Sequence, residues 1–201
     1  MNIDTFIKFN QHRTSFWANA NGWASAETNM ELNKFNFENL QSLTECLKFF
    51  VEKEALTPGD LILAWANLGS VVEGNIALFL TIYWDDYQKS VSDLAPDRAN
   101  PRGLAKMLLS ASGNLKEPNK LNFEPLRQFI DEINLFEQHH SNIRTIQKYR
   151  NYIHSVDKPT LENSEEFRQH LGYAKRFIWE LDEQCPYPEE FYSPTCRHPW
   201  N

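Results

Sequence analysis

The chain has little glycine, few cysteines and no excess of positive charge. Its 201 residues include 7 glycines and 10 prolines, and they contain no glycine-rich phosphate loop and no internal repeat, which excludes collagen-like and low-complexity chains. Lysine and arginine total 20 against 27 aspartates and glutamates, a formal net charge of −7. The broad basic surface of general nucleic-acid-binding proteins is therefore not expected. The 3 cysteines, Cys46, Cys185 and Cys196, make no disulfide framework, and the N-terminal residues show no secretory signal. Both features predict a reducing, cytoplasmic location.

What the sequence does have is helical periodicity. Hydrophobic residues make up 41% of the chain and aromatic residues 13%, enough for a large core, and no segment alternates in the manner of a strand. The pattern predicts an all-α fold, an antiparallel helical bundle with additional N-terminal helices, over residues 1–190. We expect N-terminal helices in 1–55, a core bundle in 56–184 and an extended tail in 191–201. The predicted helices cover 4–20, 36–53, 57–84, 103–110, 124–138, 141–156 and 163–183, with Asp4 and Ser141 as N-caps, and loops are predicted at 96–101, 113–120 and 157–160.

The most apolar of these helices begins at a clear start signal. Thr57 is suited to the N-cap, Pro58 to the first helical position and Asp60 to the third. The stretch from Leu61 to Trp84 is long enough to span a bilayer. However, Glu73 lies in mid-span, where an ionisable group is costly, so we interpret the helix as the buried centre of a bundle and predict no membrane association. Its small residues Gly69, Ser70 and Gly74 would let another helix approach closely.

One later segment combines residue types that carry chemistry. Between His139 and Lys158 there are four cations (Arg144, Lys148, Arg150, Lys158) and one anion, a local balance of 4 − 1 = +3 in an acidic chain. On a continuous α-helix, His154 would lie about 40° around from Arg150 and one turn further on. The two side chains would then share a face at the margin of the apolar stripe, where they can be held by packing and still reach a ligand.

These residue types are sufficient for metal-independent RNA cleavage. Histidine titrates near neutral pH and can move a proton to or from a ribose hydroxyl. Arginine can hold a scissile phosphate and offset the charge that develops on it. An amide such as Asn151 can orient either partner. We therefore take Arg150, His154 and Asn151 as candidate catalytic residues, with Glu73, Lys148 and Arg144 in support and with no metal or cofactor required.

The run Arg150-Asn151-Tyr152-Ile153-His154 resembles the signature of HEPN-domain proteins, an arginine followed by a polar residue and a histidine late in an all-α bundle. The three residues between Arg150 and His154 make a shorter gap than is usual in that family. The wider chain is similar to uncharacterised bacterial proteins of this kind, through residues 68–74, 150–155 and 180–188. The resemblance implies a metal-independent endoribonuclease or RNA- or nucleotide-binding protein of a bacterial toxin–antitoxin, phage-defence or other stress system. It also implies a homodimer and a possible antitoxin or other protein partner.

Several less specific interpretations remain open. Arg150 and His154 would be favoured near a helix C-terminus by its dipole alone, at about 0.3–1 kcal/mol, and would then only brace the fold. The protein would in that case be a catalytically inactive adaptor or a structural module. Glu73 needs a cationic partner, which Arg150 or Arg144 can supply. The histidines at 139 and 140 lack ligand spacing for a metal. The aromatic residues at 79, 83, 84 and 87 are expected in the core rather than in a base-stacking platform.

Overall fold

The computed structural model describes residues 1–20, 24–94, 103–154 and 163–188. In those ranges the chain forms α-helices and short 3₁₀ turns, and the one β feature is an isolated bridge between Leu109 and Leu115. The predicted all-α class is confirmed. The α-helices are α1 (Ile3–Asn19), α2 (Ala26–Asn33), α3 (Phe37–Glu52), α4 (Pro58–Ile82), α5 (Trp84–Leu94), α6 (Leu104–Leu108), α7 (Phe123–Glu132), α8 (His140–Arg150) and α9 (Ser164–Glu183).

Helix α4 begins as its start signal predicts. The Thr57 hydroxyl accepts a hydrogen bond from the backbone N–H of Asp60 (3.2 Å), and the Asp60 carboxylate accepts one from the backbone N–H of Thr57 (2.8 Å). Pro58 occupies the first turn, where its missing N–H costs nothing. The helix ends at Ile82, two residues before the predicted end at Trp84, and α5 starts directly after the Tyr83 C-cap.

Helix α4 is also the centre of the fold. It packs against α3, α8 and α9, and α1 packs on the outer side of α3. By length and composition alone α4 resembles a membrane span, but most of its apolar residues, among them Trp65, Leu68 and Ile76, are buried by the other helices, while Leu63 is exposed. The core-helix interpretation is therefore confirmed. Apolar residues of α1 and α3 belong to the same buried cluster as those of α4, α7, α8 and α9, so the N-terminal helices and the predicted core bundle share one interior.

Several helix ends differ from the prediction. The N-cap of α1 is Asn2, whose side chain accepts from the N–H of Thr5 (2.8 Å), while Asp4 lies in the first turn. Helix α8 starts at His140, so Ser141 is not its N-cap. Helix α7 stops at Glu132, before the predicted end at 138, because Asn134 and Phe136 take left-handed backbone conformations that end a helix.

Other expectations concern elements outside the long helices. Helix α2 was not predicted, since Ala26–Asn33 has too few apolar residues to show a period. The aromatic residues Phe79, Trp84 and Tyr87 are buried as expected, and Tyr83 is half-buried. The predicted tail at 191–201 and the predicted loops at 96–101 and 157–160 lie outside the described residues.

A buried ionic network joins three helices on the α1 side of α4. The Arg13 side chain is almost fully enclosed, and its Nε lies 2.9 Å from Oδ1 of Asp182 in α9. A second guanidinium nitrogen donates to the Asn75 side chain of α4. The Tyr187 hydroxyl donates to the same Asp182 oxygen (2.5 Å) and accepts from the Trp17 indole N–H (2.9 Å). Most polar groups in this network are therefore paired, as burial favours, although Nη2 of Arg13 and Oδ1 of Asn10 have no hydrogen-bond partner among the described residues.

Candidate functional site

The side chain of Arg150 is fixed by helix α4. Its aliphatic stem lies directly over Gly69, where an added Cβ would be 2.5 Å from the Arg150 Cβ and closer still to the Cγ. Its guanidinium Nη2 donates to Oε2 of Glu73 at 2.6 Å. Because Gly69 and Glu73 are one turn apart on α4, the stem contacts the first and the charged head reaches the second. The predicted close approach at Gly69 is confirmed, and Leu40 of α3 makes a similar approach to Gly74.

The ion pair is only partly removed from solvent. The Arg150 side chain is 27% exposed and the Glu73 side chain 18%. Burial raises the pKa of the Glu73 carboxyl, and the positive charge of Arg150 lowers it by less. A carboxylate whose desolvation outweighs the effect of its cation, at the edge of a cleft, is typical of functional sites as well as of structural ion pairs.

Arg144 is not the partner of Glu73. Its Nη2 and Nε donate to Oδ2 of Asp131 in α7, at 2.9 Å and 3.2 Å. The same carboxylate receives Arg127 at 2.5 Å and lies 3.2 Å from Nδ1 of His140. Lys148 is exposed, with its Nζ 5.4 Å from the centre of the Tyr149 ring. The excess of positive charge that the sequence shows between His139 and Lys158 is thus smaller in the folded chain. Asp131 of α7 offsets the charge of Arg144, and Glu73 of α4 offsets that of Arg150.

The α-helix does not continue to His154 as predicted. Helix α8 ends at Arg150, and residues Asn151–His154 form a 3₁₀ turn that packs against α4. Since a 3₁₀ turn rotates each residue by about 120°, His154 lies about 120° around from Arg150 rather than about 40°. The shared-face prediction is therefore wrong. Asn151 and His154 are both exposed, and within the described part of the chain the His154 ring has no hydrogen-bond or ion-pair partner.

The two adjacent histidines have structural partners. The Nε2 of His139 lies 2.8 Å from Oε2 of Glu180, and the Nε2 of His140 lies 2.9 Å from the carbonyl oxygen of Leu135. Both are buried where the preceding 3₁₀ turn meets α8. Over the described ranges, no group of three His, Cys, Asp or Glu side chains is placed to bind a metal ion.

An open cleft begins at the Arg150–Glu73 pair. It has a volume of about 390 Å³, within the range of ~300–1,000 Å³ typical of small-molecule sites. Its walls come from α3, the central part of α4 and the 3₁₀ turn at Pro118–Lys120. Sequence reasoning missed the α3 and 118–121 sides of the cleft, because no pattern in a single sequence links residues so far apart. The lining residues are Phe35, Asn36, Asn39, Leu40, Leu43, Ser70, Glu73, Gly74, Ala77, Pro118, Asn119, Leu121 and Arg150.

Comparison with known proteins assigns no family: no family model matches the chain, no curated protein matches its sequence, and no solved structure matches its fold. The functional assignment therefore depends on the residues of the site.

Proposed function

We propose that this chain is an HEPN-like RNA-binding protein with metal-independent endoribonuclease activity, acting in a bacterial stress or defence system. The proposal is supported by one observation above all. The Arg150 guanidinium is held in a fixed position at the mouth of an open cleft, four residues before an exposed histidine. An arginine in a fixed orientation beside solvent can receive a phosphate without first losing its own conformational freedom.

The roles of the side chains follow from their chemistry. Arg150 has five N–H donors and uses one for Glu73, so the others can bind the oxygens of a scissile phosphate. Four residues of 3₁₀ turn place His154 about 8 Å further along the chain and about 120° around from Arg150, so the proposed RNA strand would have to contact both faces of the turn. Asn151 and Lys148 are both exposed; in this proposal Asn151 orients the strand and Lys148 adds positive charge. Arg144, held by Asp131, contributes at most a distant charge.

In the proposed reaction the ribose 2′-hydroxyl attacks the adjacent phosphorus while the bond from phosphorus to the 5′ oxygen breaks. His154 accepts the proton of the 2′-hydroxyl, and the departing 5′ oxygen takes a proton from water at this exposed site. The products are a 2′,3′-cyclic phosphate and a 5′-hydroxyl. Arg150 offsets the negative charge that develops on the phosphate oxygens. No metal ion is needed in any step.

The test is cleavage of a labelled single-stranded RNA of mixed sequence in excess EDTA. We expect Arg150→Ala and His154→Ala each to lower the rate by about 10²-fold or more. Arg176→Ala and His12→Ala are matched controls, because both residues are exposed on other helices, and both variants should cleave at the wild-type rate. The all-DNA strand of the same sequence should stay intact, since it lacks the attacking hydroxyl. Cleavage that survives both site substitutions would refute these roles.

A second candidate function is an HEPN-like adaptor that binds RNA, a nucleotide or a protein without cleaving anything. The observation that favours it is the Glu73–Arg150 ion pair, which already neutralises the arginine charge. An adaptor would bind RNA in a manner that depends on Arg150 but not on His154, and its overexpression would not slow growth. The resemblance further implies a homodimer and a protein partner such as an antitoxin, and the exposed Ile153 is an apolar side chain that a partner would cover.

A further inference from the structure

The cleft beside Arg150 has the wrong charge for a phosphate group. Its two charged lining residues are Arg150 and Glu73, which form an ion pair with each other, so their charges cancel. The N-terminus of α3 also lines the cleft, but it is already capped by its own residues. Asn36 accepts the N–H of Asn39 through its side chain (3.0 Å) and the N–H of Leu40 through its carbonyl group (3.3 Å). A neutral polar ligand therefore suits this cleft better than an anion does.

The ion pair leaves a defined set of hydrogen-bonding groups unused. Nη2 of Arg150 and Oε2 of Glu73 are bonded to each other. Within the described residues, Oε1 of Glu73 and the remaining guanidinium nitrogens have no partner. Each carboxylate oxygen has two lone pairs, so Oε2 can accept a further hydrogen bond. A ligand that contacts both side chains can therefore use a guanidinium donor together with the two carboxylate oxygens as acceptors.

We propose that this cleft binds a guanine base through the Arg150–Glu73 pair. The Watson–Crick edge of guanine reads O6, N1–H and N2–H, one acceptor followed by two donors, which complements the donor and two acceptors of the pair. Cytosine carries the same set of groups as the protein pair and is repelled by it. Uracil places an acceptor opposite a carboxylate oxygen, and adenine offers a single donor group on this edge. Guanine is thus the one RNA base that satisfies all three positions.

The walls of the cleft suit a planar ring. Leu40, Leu43, Ala77 and Leu121 provide apolar surface, and the ring of Phe35 lies at the rim. Stacking on an aromatic ring contributes about 1–3 kcal/mol per base in single-stranded recognition. The exposed side chain of Asn39 stands at the opening, where an amide can meet the remaining polar atoms of the base.

The inference rests on the proposed function, because an RNA strand supplies the guanine. The phosphate of that strand lies outside the cleft, at Arg150, Lys148 and His154. The strand then enters with its base in the cleft and its backbone at the exposed cations. Arg150 contacts both parts, since it has donors enough for the base edge and the phosphate.

The test is calorimetric titration of the full chain with GMP, IMP, AMP, CMP and UMP in EDTA. GMP should bind at least about tenfold more tightly than AMP, CMP or UMP, the discrimination expected of one bidentate base contact. IMP, which lacks the N2 amino group, should fall between GMP and AMP. Equal affinity for GMP and AMP, or no binding of any nucleotide, would overturn the proposal.

Substitutions in the cleft make the test specific. Glu73→Gln should abolish the preference for GMP over AMP, while Glu183→Gln, an exposed carboxylate on α9, should leave that preference unchanged. A GMP preference that survives Glu73→Gln would refute the inference. Should Glu73→Gln fail to fold in a thermal melt, Asn39→Trp fills the opening from an exposed position on α3, and it should abolish binding of all five nucleotides. Retained GMP binding in Asn39→Trp would overturn the placement in the cleft.

The inference and the proposed function can fail separately. A tetranucleotide that contains one guanine should bind more tightly than GMP and more tightly than the same strand with adenine in its place. If GMP binds with the expected preference but the RNA neither binds nor is cleaved, the guanine site stands and the RNA function falls. If RNA is cleaved without any preference for guanine, the function stands and the guanine site is refuted.

Discussion

The contact between Gly69 and Arg150 predicts that two similar glycine substitutions have opposite effects on stability. Gly69 lies inside α4 and Gly172 inside α9, and replacing a helical glycine by alanine normally stabilises a helix by about 1 kcal/mol. An added Cβ at Gly172 meets no atom within 4 Å. At Gly69 it would lie 2.5 Å from the Arg150 Cβ and closer to the Cγ. The Arg150 Cβ is bonded directly to the backbone, so no side-chain rotation can remove that part of the clash.

The size of the effect follows from the two opposing contributions. Overpacking of this kind costs about 1–3 kcal/mol, and a contact with atoms next to the backbone belongs at the upper end of that range. Subtracting the helix-propensity gain of about 1 kcal/mol leaves Gly69→Ala destabilised by about 2 kcal/mol. For a chain of this length that corresponds to a fall in Tm of about 4–8 °C. Gly172→Ala should instead raise the free energy of unfolding by up to about 1 kcal/mol.

Urea denaturation of the wild type and the two alanine variants measures these differences directly. The cause is isolated by repeating Gly69→Ala in an Arg150→Gly background, where both clashing atoms are gone. There the substitution should become stabilising, as it is at Gly172, and the double-mutant cycle should report a coupling of about 3 kcal/mol. A neutral or stabilising Gly69→Ala in the wild-type background would show that α4 and α8 are not in contact at this point, and the fixed position of Arg150 would lose its support.

Two further predictions concern buried charges. Replacing Arg13 by Met should lower the free energy of unfolding by about 3–5 kcal/mol in urea denaturation, because the Asp182 carboxylate would remain buried without its cation. Combining Arg13→Met with Asp182→Leu should recover most of this loss. Failure to recover it would exclude the ion pair as the cause. Burial raises the pKa of Glu73 above its ordinary value of 4.5, so just above pH 4.5 the folded state retains a proton that the unfolded state has lost. Stability should therefore fall as pH rises through this interval, and Glu73→Gln should reduce that slope; an unchanged slope would contradict the raised pKa.

The fold class and the central helix could be predicted because they depend on patterns among residues that are close together in the sequence. The start of α4 is determined by three neighbouring residues, Thr57, Pro58 and Asp60, and the capping box they form needs nothing from the rest of the chain. The small residues Gly69 and Gly74 correctly indicated close contacts. The groups that make those contacts are Arg150 at Gly69 and Leu40 at Gly74. They could not be predicted from the sequence, because they depend on tertiary packing.

The end of α8 shows why the site itself was predicted less well. The apolar residues Ile146, Tyr149 and Ile153 fit a helical period, yet Ile153 is 47% exposed and lies in a 3₁₀ turn. The spacing of apolar residues in the sequence hardly changes when a helix ends in a short 3₁₀ turn. In the structure, however, each residue of that turn is rotated about 20° further than it would be in an α-helix. Helical-wheel geometry therefore failed at His154, where the functional hypothesis depended on it.

The contact with Glu73 does not by itself decide whether Arg150 braces the fold or binds a ligand. Ordering an arginine side chain costs about 1.5–2 kcal/mol of rotamer entropy. Arg150 loses this entropy when the protein folds, because its contacts with Gly69 and Glu73 form at that stage. A ligand that arrives later meets a guanidinium already in place, with most of its donors unused and 27% of its side chain exposed. The buried Arg13 also leaves one guanidinium nitrogen, Nη2, without a hydrogen-bond partner among the described residues, but its side chain is only 1% exposed, so a ligand has no access to it. The exposure of the unused donors, rather than their number or the presence of a partner, is what separates the two roles, and it is consistent with a ligand at Arg150.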